Sequence, residues 1–388
     1  MKKLAIVTTH PIQYNAPWFQ LLAERQKIDL KVFYTWSQSE KSVIDRNFGK
    51  EISWDIPLLK DYNYEFVKNI SNKPGSHHFF GIDCPELKKR IENYSPDTIL
   101  VFGWNFKSHF NVMRHFKGKV PIWFRGDSTL LDETPGLKIR LRRQVLKFVY
   151  RYVDKALYVG SANKQYFKKH GLKDNQLIFA PHAIDNDRFM EDSKFNESVQ
   201  VWRKELNLNA NDIVVVFAGK LEPKKQPEFL LKAVQKANKS RKIPVKIVFV
   251  GSGSLDQSLK AAAGDDANIN FLPFQNQSQM PAVYRLGNVL CLPSKGPGET
   301  WGLALNEAMA SGTAIIATEK VGSVYDIIED KGNGYIFAHD NLNELTNIIQ
   351  SLEFSSLVEM GEKSRIKIQK WSFQNLVSNI ENALINDD

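Results

Sequence analysis

Short apolar runs recur along the chain at intervals that leave room for a crossover helix between them. In the first half they are LAIVTT (4–9), LKVFYT (30–35), TILVFG (98–103), VPIWF (120–124), KALYVG (155–160) and QLIFAP (176–181). Between some of them lie stretches with helical spacing, PWFQLLAERQ and ANKQYFKKHG. Runs without polar alternation suit strands buried on both faces, so the pattern predicts an α/β fold with a mainly parallel sheet. Residues 37–80 are polar and aromatic with no clear period. They read as irregular strands and loops over a binding cleft.

The pattern starts again after about residue 195. Its runs are DIVVVFAG (212–219), VKIVFVG (245–251), INFLPF (269–274), NVLCLPS (288–294), TAIIAT (313–318) and GYIFAH (334–339). The helical segments PEFLLKAVQKANKS and GLALNEAMASG lie among them, and 190–211 reads as a linker plus a short helix. A length of 388 residues suits two domains better than one. Two serial parallel α/β units imply a cleft between domains, with ligands at the carboxyl ends of strands.

Composition narrows the function classes. Hydrophobic residues make up 43% and charged residues 24%, as in a folded globular protein. Basic residues (52) exceed acidic ones (43), giving a formal charge of +9. That surplus favours acidic partners such as nucleotides, nucleic acid or an anionic membrane face. No nucleic-acid-binding module accompanies it, so nucleic acid is not expected. The two cysteines, Cys84 and Cys291, suggest no disulfide framework and suit a reducing compartment. The opening MKKLAIVTTHPIQY is basic, but its apolar part is short and runs into His10-Pro11, so it reads as a first strand rather than a leader. No run approaches the roughly 18 apolar residues of a membrane span. The sequence specifies no oligomeric state.

The most informative stretch is PSKGPGETWGLALNEAMASGTAIIAT (293–318). A strand gives way to a glycine-bounded loop and then a helix, whose first N–H groups can hold anionic or sugar oxygens. Glu299 lies in the loop and Glu307 on the helix, so both carboxylates could lie along one ligand and accept hydrogen bonds from sugar hydroxyls. Glutamates near a helix start also serve as caps and dipole partners. Upstream, DIVVVFAG ends at Gly219; Lys220 follows and Lys225 comes shortly after. Two cations at a strand exit could neutralise a diphosphate. On charge alone, a solvated cluster around Glu222, Lys224 and Lys225 is the stronger reading, which only the combination with the 299–307 pattern reverses.

Taken together these stretches resemble glycosyltransferase family 4, a group of retaining enzymes of the GT-B fold. Its pattern of a glutamate, seven residues, a second glutamate and then Ala-Met-Ala-x-Gly is matched by Glu299, Glu307 and AMASG (308–312). The resemblance implies two Rossmann-like domains with a cleft between them. It implies that Glu299 contacts the donor sugar and Glu307 the nucleotide ribose. Main-chain groups of Thr300, Trp301, Gly302 and Leu303 would line the sugar and diphosphate; bulky Trp301 has simple packing as an equal alternative. Gly219, Lys220 and Lys225 would hold the diphosphate, although the family's usual arginine is Lys220 here and its usual glycine is Gln226. At the base-binding loop Pro273 replaces a common glycine. EKVGSVYDII (319–328) matches only in part.

The first half resembles the family less closely. THPIQYNAPWF (9–19) stands where family members carry a Gly-rich loop. His10 is a candidate for contacting the acceptor or the reactive oxygens, with a satisfied turn or core histidine as the alternative. VPIWFRGDS (120–128) places Arg125 where the family commonly has a histidine. Arg125 could bring a charge near the acceptor or transferred sugar but cannot act as a base. His109 is another candidate. Asp185 and Asp187 make a thin metal cage and suit a loop or helix cap better. The closing stretch 363–384 resembles helices that cross back. The expected division is therefore 1–195 (acceptor-binding), 196–371 (donor-binding) and 372–388 returning to the first domain.

The reaction implied is transfer of a sugar from a UDP- or GDP-sugar to an acceptor hydroxyl with retention, with no metal and no further cofactor. A glycan or lipid-linked acceptor in bacterial polysaccharide, lipopolysaccharide or capsule synthesis is the usual context. A nucleotide-sugar epimerase, a phosphorylase of similar shape, or a non-catalytic carbohydrate-binding scaffold are the rival readings. One further stretch bears on location. GLKIRLRRQVLKFVYRYVDK (136–155) carries seven basic residues against one acid, Asp154. Leu137, Leu141, Val145, Phe148 and Tyr152 recur at helical spacing. Their side would face the core or, with its basic flanks, an anionic membrane. The expectation is a cytoplasmic protein touching the inner face of the cell membrane.

Overall fold

The computed structural model describes residues 1–40, 44–45, 50–51 and 55–386. These form two compact units, one of residues 1–182 with 373–386 and one of residues 183–372. The first contains strands β1 (Lys2–Thr8), β2 (Ile28–Tyr34), β3 (Ile44–Asp45), β4 (Lys50–Glu51), β5 (Asn63–Phe66), β6 (Thr98–Phe102), β7 (Ile122–Arg125), β8 (Lys155–Tyr158) and β9 (Leu177–Phe179). Apart from the small antiparallel pair β3–β4, they form one sheet in the order β5-β2-β1-β6-β7-β8-β9. Every neighbouring pair in it is parallel. Leu4, Ala5, Ile6 and Val7 are wholly buried because helices cover both faces of a central parallel strand.

The second unit contains β10 (Val214–Ala218), β11 (Lys246–Val250), β12 (Ile269–Leu272), β13 (Val289–Leu292), β14 (Ala314–Thr318) and β15 (Gly334–Phe337). Their order is β12-β11-β10-β13-β14-β15, again parallel throughout. Both units therefore have the doubly wound, Rossmann-like form expected from the apolar runs. Each has a switch point, between β1 and β6 and between β10 and β13, where successive crossovers leave in opposite directions. Such a point leaves a crevice beyond the carboxyl ends of the two strands.

The first boundary, at 182/183, falls ahead of the expected 195/196. The stretch 183–195, expected to close the first domain, is anchored in the second unit. Asn186 Nδ2 donates to Ile368 O (3.3 Å) and Trp371 O (3.4 Å). Phe189 is wholly buried and its ring lies 6.1 Å from that of Tyr284. The terminal helix Phe373–Ile385 lies in the first unit. Its buried Glu381 pairs with Arg25 (3.1 Å) and Lys27 (3.4 Å), and Asn379 Nδ2 donates to Phe179 O (3.0 Å).

Candidate functional site

In the second unit Gly219, Lys220, Lys225 and Glu299 lie on the segments that leave β10 and β13, at the switch point. β10 ends at Ala218, and Gly219 and Lys220 follow it directly. Gly219 has φ +153°, and a Cβ there would meet nothing within 4 Å, so its backbone stands open. Lys220 is half-buried. Lys225 ends a short turn (Pro223–Lys225) before the helix Pro227–Asn238. Past the end of β13 come Ser294 and then Glu299. The Lys225 ammonium pairs with Glu299 Oε2, and Ser294 Oγ donates to the same oxygen at 2.9 Å. Lys295 N donates to Lys224 O (3.0 Å), so the two strand exits are joined by backbone as well.

The loop carrying Glu299 is fastened from a third side. Gly322 N donates to Glu299 O (3.0 Å) and Ser323 N to Trp301 O (3.2 Å). Thr318 Oγ1 donates to Ser294 O. The 319–328 stretch, a partial match by sequence, thus holds the loop by main-chain bonds that its side chains do not advertise. Trp301 is 3% exposed and its indole N–H donates to Asn306 Oδ1 (2.9 Å). Its side chain therefore packs within the second unit. Gly302 has φ +87°, and a Cβ there would sit 2.7 Å from Val321 Cγ1. Only glycine suits both that conformation and that approach. The helix Leu303–Ala310 begins immediately after it, with Leu305 N donating back to Gly302 O (2.9 Å). Glu307 lies on this helix, 2% exposed, and Tyr284 OH donates to its Oε2 at 2.7 Å. Thr300 and Leu303 are half-buried, while Pro273 follows β12 and is exposed.

Ser294 and Tyr284 were not singled out by sequence. Ser294 directly precedes the loop at the end of an apolar run, a position that could have drawn notice. Tyr284 lies far from Glu307 in sequence on another helix (Met280–Arg285), and nothing local marks it.

In the first unit, His10 lies just past the carboxyl end of β1, at the β1–β6 switch point. Its Nδ1 is hydrogen-bonded with Thr9 Oγ1 (2.9 Å) and its ring meets Trp36 edge-on at 5.3 Å. Burial lowers its pKa to about 4, so it is neutral at physiological pH. His109 is wholly buried. Its Nδ1 faces Phe102 O (2.9 Å) and Gly103 O (3.1 Å), and its Nε2 is bonded with Thr35 Oγ1 (2.8 Å). Both ring nitrogens are engaged, and burial lowers its pKa to about 4. Arg125 is 4% exposed. Its guanidinium donates to Ala180 O (2.9 Å) and Pro181 O (3.3 Å) and lies 6.0 Å from the Trp18 ring. This arginine ties two chain segments together inside the unit. Burial lowers its pKa to about 10, against the pull of Asp127.

Asp185 caps the short helix Asn186–Met190 by accepting from Arg188 N. No group of three or more His, Cys, Asp or Glu side chains placed to hold a metal ion occurs among the described residues.

Two parallel, doubly wound units of this kind define the class of GT-B proteins, and solved structures share the architecture over the whole chain. Anabaena HepE in complex with UDP and glucose is similar with a TM-score of 0.70 at 16% identity, covering 100% of both chains. The lipopolysaccharide outer core galactosyltransferase WaaB is similar with a TM-score of 0.69 at 14% identity, again covering 100% of both. At sequence level, residues 198–370, most of the second unit, match the family model of glycosyl transferases group 1. The D-inositol 3-phosphate glycosyltransferase of Gordonia bronchialis is 30% identical over 189 residues, 45% of this chain and 40% of that relative. The chain thus spans less than half the length of the curated relatives it matches.

Proposed function

We propose that the protein transfers a sugar from a nucleoside-diphosphate sugar to an acceptor hydroxyl with retention of configuration. The observation that carries this reading is the Lys225–Glu299–Ser294 constellation at the β10–β13 switch point, inside the unit that matches the family model. Lysines 220 and 225 suit a diphosphate as point charges. Glu299 Oε2 is occupied by Lys225 and Ser294, which leaves Oε1 as the acceptor for sugar hydroxyls. Glu307, held by Tyr284, suits the two hydroxyls of a ribose. Gly302 and the helix start supply N–H donors for phosphate oxygens.

In the proposed step the bond from the anomeric carbon to the β-phosphate oxygen breaks, and the acceptor oxygen bonds to that carbon on the same face. The acceptor's proton passes to the departing phosphate oxygen, yielding a glycoside and a nucleoside diphosphate. Lysines and helix amides stabilise the charge that develops on the leaving group. A UDP-linked donor is favoured by the likeness to a fold crystallised with UDP and glucose. A cell-surface glycan or glycolipid acceptor is favoured by the likeness to a lipopolysaccharide galactosyltransferase.

The test is calorimetry with UDP, GDP and ADP, followed by incubation of the matching sugar donor with and without acceptor. Preferred binding of one diphosphate and slow release of it from the sugar donor support the reading. Sugar interconversion without release would indicate an epimerase, and a strict need for free phosphate a phosphorylase. No nucleotide binding would leave a scaffold.

A further inference from the structure

The helix Leu137–Tyr150 buries one side and leaves a second apolar side outside. Leu146, Val149 and Tyr150 face the core at 1%, 2% and 4% exposure. Leu137, Leu141, Val145 and Phe148 recur every three or four residues, so they share one side. They are 81%, 67%, 46% and 49% exposed. The stripe that sequence periodicity offered either to the core or to a membrane is thus the outer one. It continues beyond the helix. Phe148 meets Tyr152 edge-on at 5.6 Å, Tyr152 meets Phe110 at 5.7 Å, and Arg114 lies 5.8 Å from the Phe110 ring.

Cations flank this stripe. At 100° per residue, Arg140, Lys147 and Arg151 fall along one edge and Lys138 along the other. All four are exposed. Arg142 and Arg143 are already committed to Glu133, at 3.7 and 2.7 Å. Residues 137–153 contain no acidic side chain.

We infer that this face docks on an anionic lipid surface. A soluble anion would use the cations and leave the apolar stripe in water. A second copy of the chain would cover the stripe but bring like charges together, which is costly. A lipid interface satisfies both, because its acyl boundary takes the leucines and Phe148 while its anionic headgroups take the flanking cations. At 14 residues and about 1.5 Å rise each, the helix is too short to cross roughly 30 Å of hydrocarbon, so it lies along the surface. The surface sits in the first unit, and the inference stands whichever donor the second unit binds.

The test is co-sedimentation of the full chain with phosphatidylcholine vesicles, with and without phosphatidylglycerol, at low and high salt. Two variants are compared. One carries Lys138→Gln, Arg140→Gln, Lys147→Gln and Arg151→Gln; the other carries Leu137→Ser, Leu141→Ser and Phe148→Ser. All seven positions are exposed, so melting temperature and nucleotide affinity should stay at the parent values. The expected result is binding to anionic vesicles only, weakened by salt and about tenfold or more by each variant. No binding to anionic vesicles at low salt overturns the inference. So does equal binding of parent and variants, or a dimer in light scattering that the leucine variant dissolves while vesicle binding is absent. Loss of UDP binding in the parent would instead count against the proposed function alone.

Discussion

Ser294 Oγ donates to Glu299 Oε2 at 2.9 Å, on the same oxygen that the Lys225 ammonium pairs with. Two donors on one oxygen fix the carboxylate's rotation and leave its other oxygen to a ligand. Ser294 is 1% exposed and cannot touch a ligand with its own side chain while it makes that bond. Ser294→Ala should therefore leave affinity for the free nucleoside diphosphate unchanged and weaken handling of the sugar. The expected cost is about 2 kcal/mol in kcat/KM, one neutral-to-charged hydrogen bond. Paired measurements of diphosphate affinity and donor turnover decide it, and an equal loss in both would show that Ser294 supports the fold instead.

The Lys225–Glu299 pair is partly shielded, with side chains 17% and 11% exposed. Removing one partner leaves the other charge with reduced solvation, so single variants should cost more than the pair's net worth. Lys225→Ala should lower diphosphate affinity, whereas Glu299→Ala should lower turnover with the sugar donor more than diphosphate affinity. A double-mutant cycle in thermal stability should show coupling of about 1 kcal/mol or more. Additive effects would mean that the two act separately in solution.

Tyr284 and Glu307 stand in the same relation, with both side chains buried and 2.7 Å between the phenol and carboxylate oxygens. Tyr284→Phe keeps the ring packing and removes the donor. It should raise KM for the nucleotide donor severalfold with kcat nearly intact, since ribose contacts bind substrate and transition state alike. Glu307→Ala should do the same more strongly. A fall in kcat without a change in KM for Tyr284→Phe would move Glu307 from nucleotide binding to chemistry.

The strands of both sheets were legible because parallel strands buried on both faces must be continuously apolar. TILVF and VVVFA read as strands from hydrophobicity alone. β5 was not legible: NYEF sits at the sheet edge, half-exposed and aromatic, and carries no apolar run. In the candidate site, Glu299, Glu307 and the lysines were singled out by their resemblance to the family pattern rather than by charge or spacing alone, and the structure pairs Lys225 with Glu299. The bonds that orient them were not legible: Tyr284 and Gly322 act from separate segments, and Ser294, though only five residues from Glu299, ends an apolar run that marks it as part of a strand exit. The boundary at 195 was expected from the polar run 190–211, which reads as a linker. Asn186 and Phe189, ahead of that run, are held in the second unit by distant partners that local composition does not show.

His109 gives the first unit a pH dependence. Its pKa is about 4 in the folded protein against an ordinary 6.5. The unfolded chain therefore binds a proton that the folded protein refuses between those values. Its contribution is fully present above pH about 6.5 and is lost as pH falls towards about 4. His10 is shifted in the same direction by the same cause. Melting temperature should fall across this window. His109→Gln, which can still donate to a carbonyl, should melt lower at pH 7 and show a shallower fall. A variant with the parent's pH slope would assign the acid sensitivity to other groups.

Arg125 was a candidate for charge near the acceptor, and its geometry makes a sharper expectation. The guanidinium fork reaches two consecutive carbonyls, Ala180 and Pro181, and stacks near Trp18. Its cost of burial is visible in its lowered pKa. Such a group is retained for what it joins, here the end of β7 and the segment after β9. Lysine has the charge but not the planar fork, so Arg125→Lys should hold one carbonyl and release the other. Arg125→Met keeps the length without the charge and leaves both carbonyls unpaired, though it also removes a buried cation. The expected order of melting temperature is parent above lysine above methionine, the methionine variant losing about 2 kcal/mol or more of unfolding free energy. Affinity of the second unit for a nucleoside diphosphate should be the same in all three. If Arg125→Lys instead kept the parent's melting temperature while turnover with acceptor collapsed, the carbonyl tie would be incidental and the arginine's charge would act on the reaction itself.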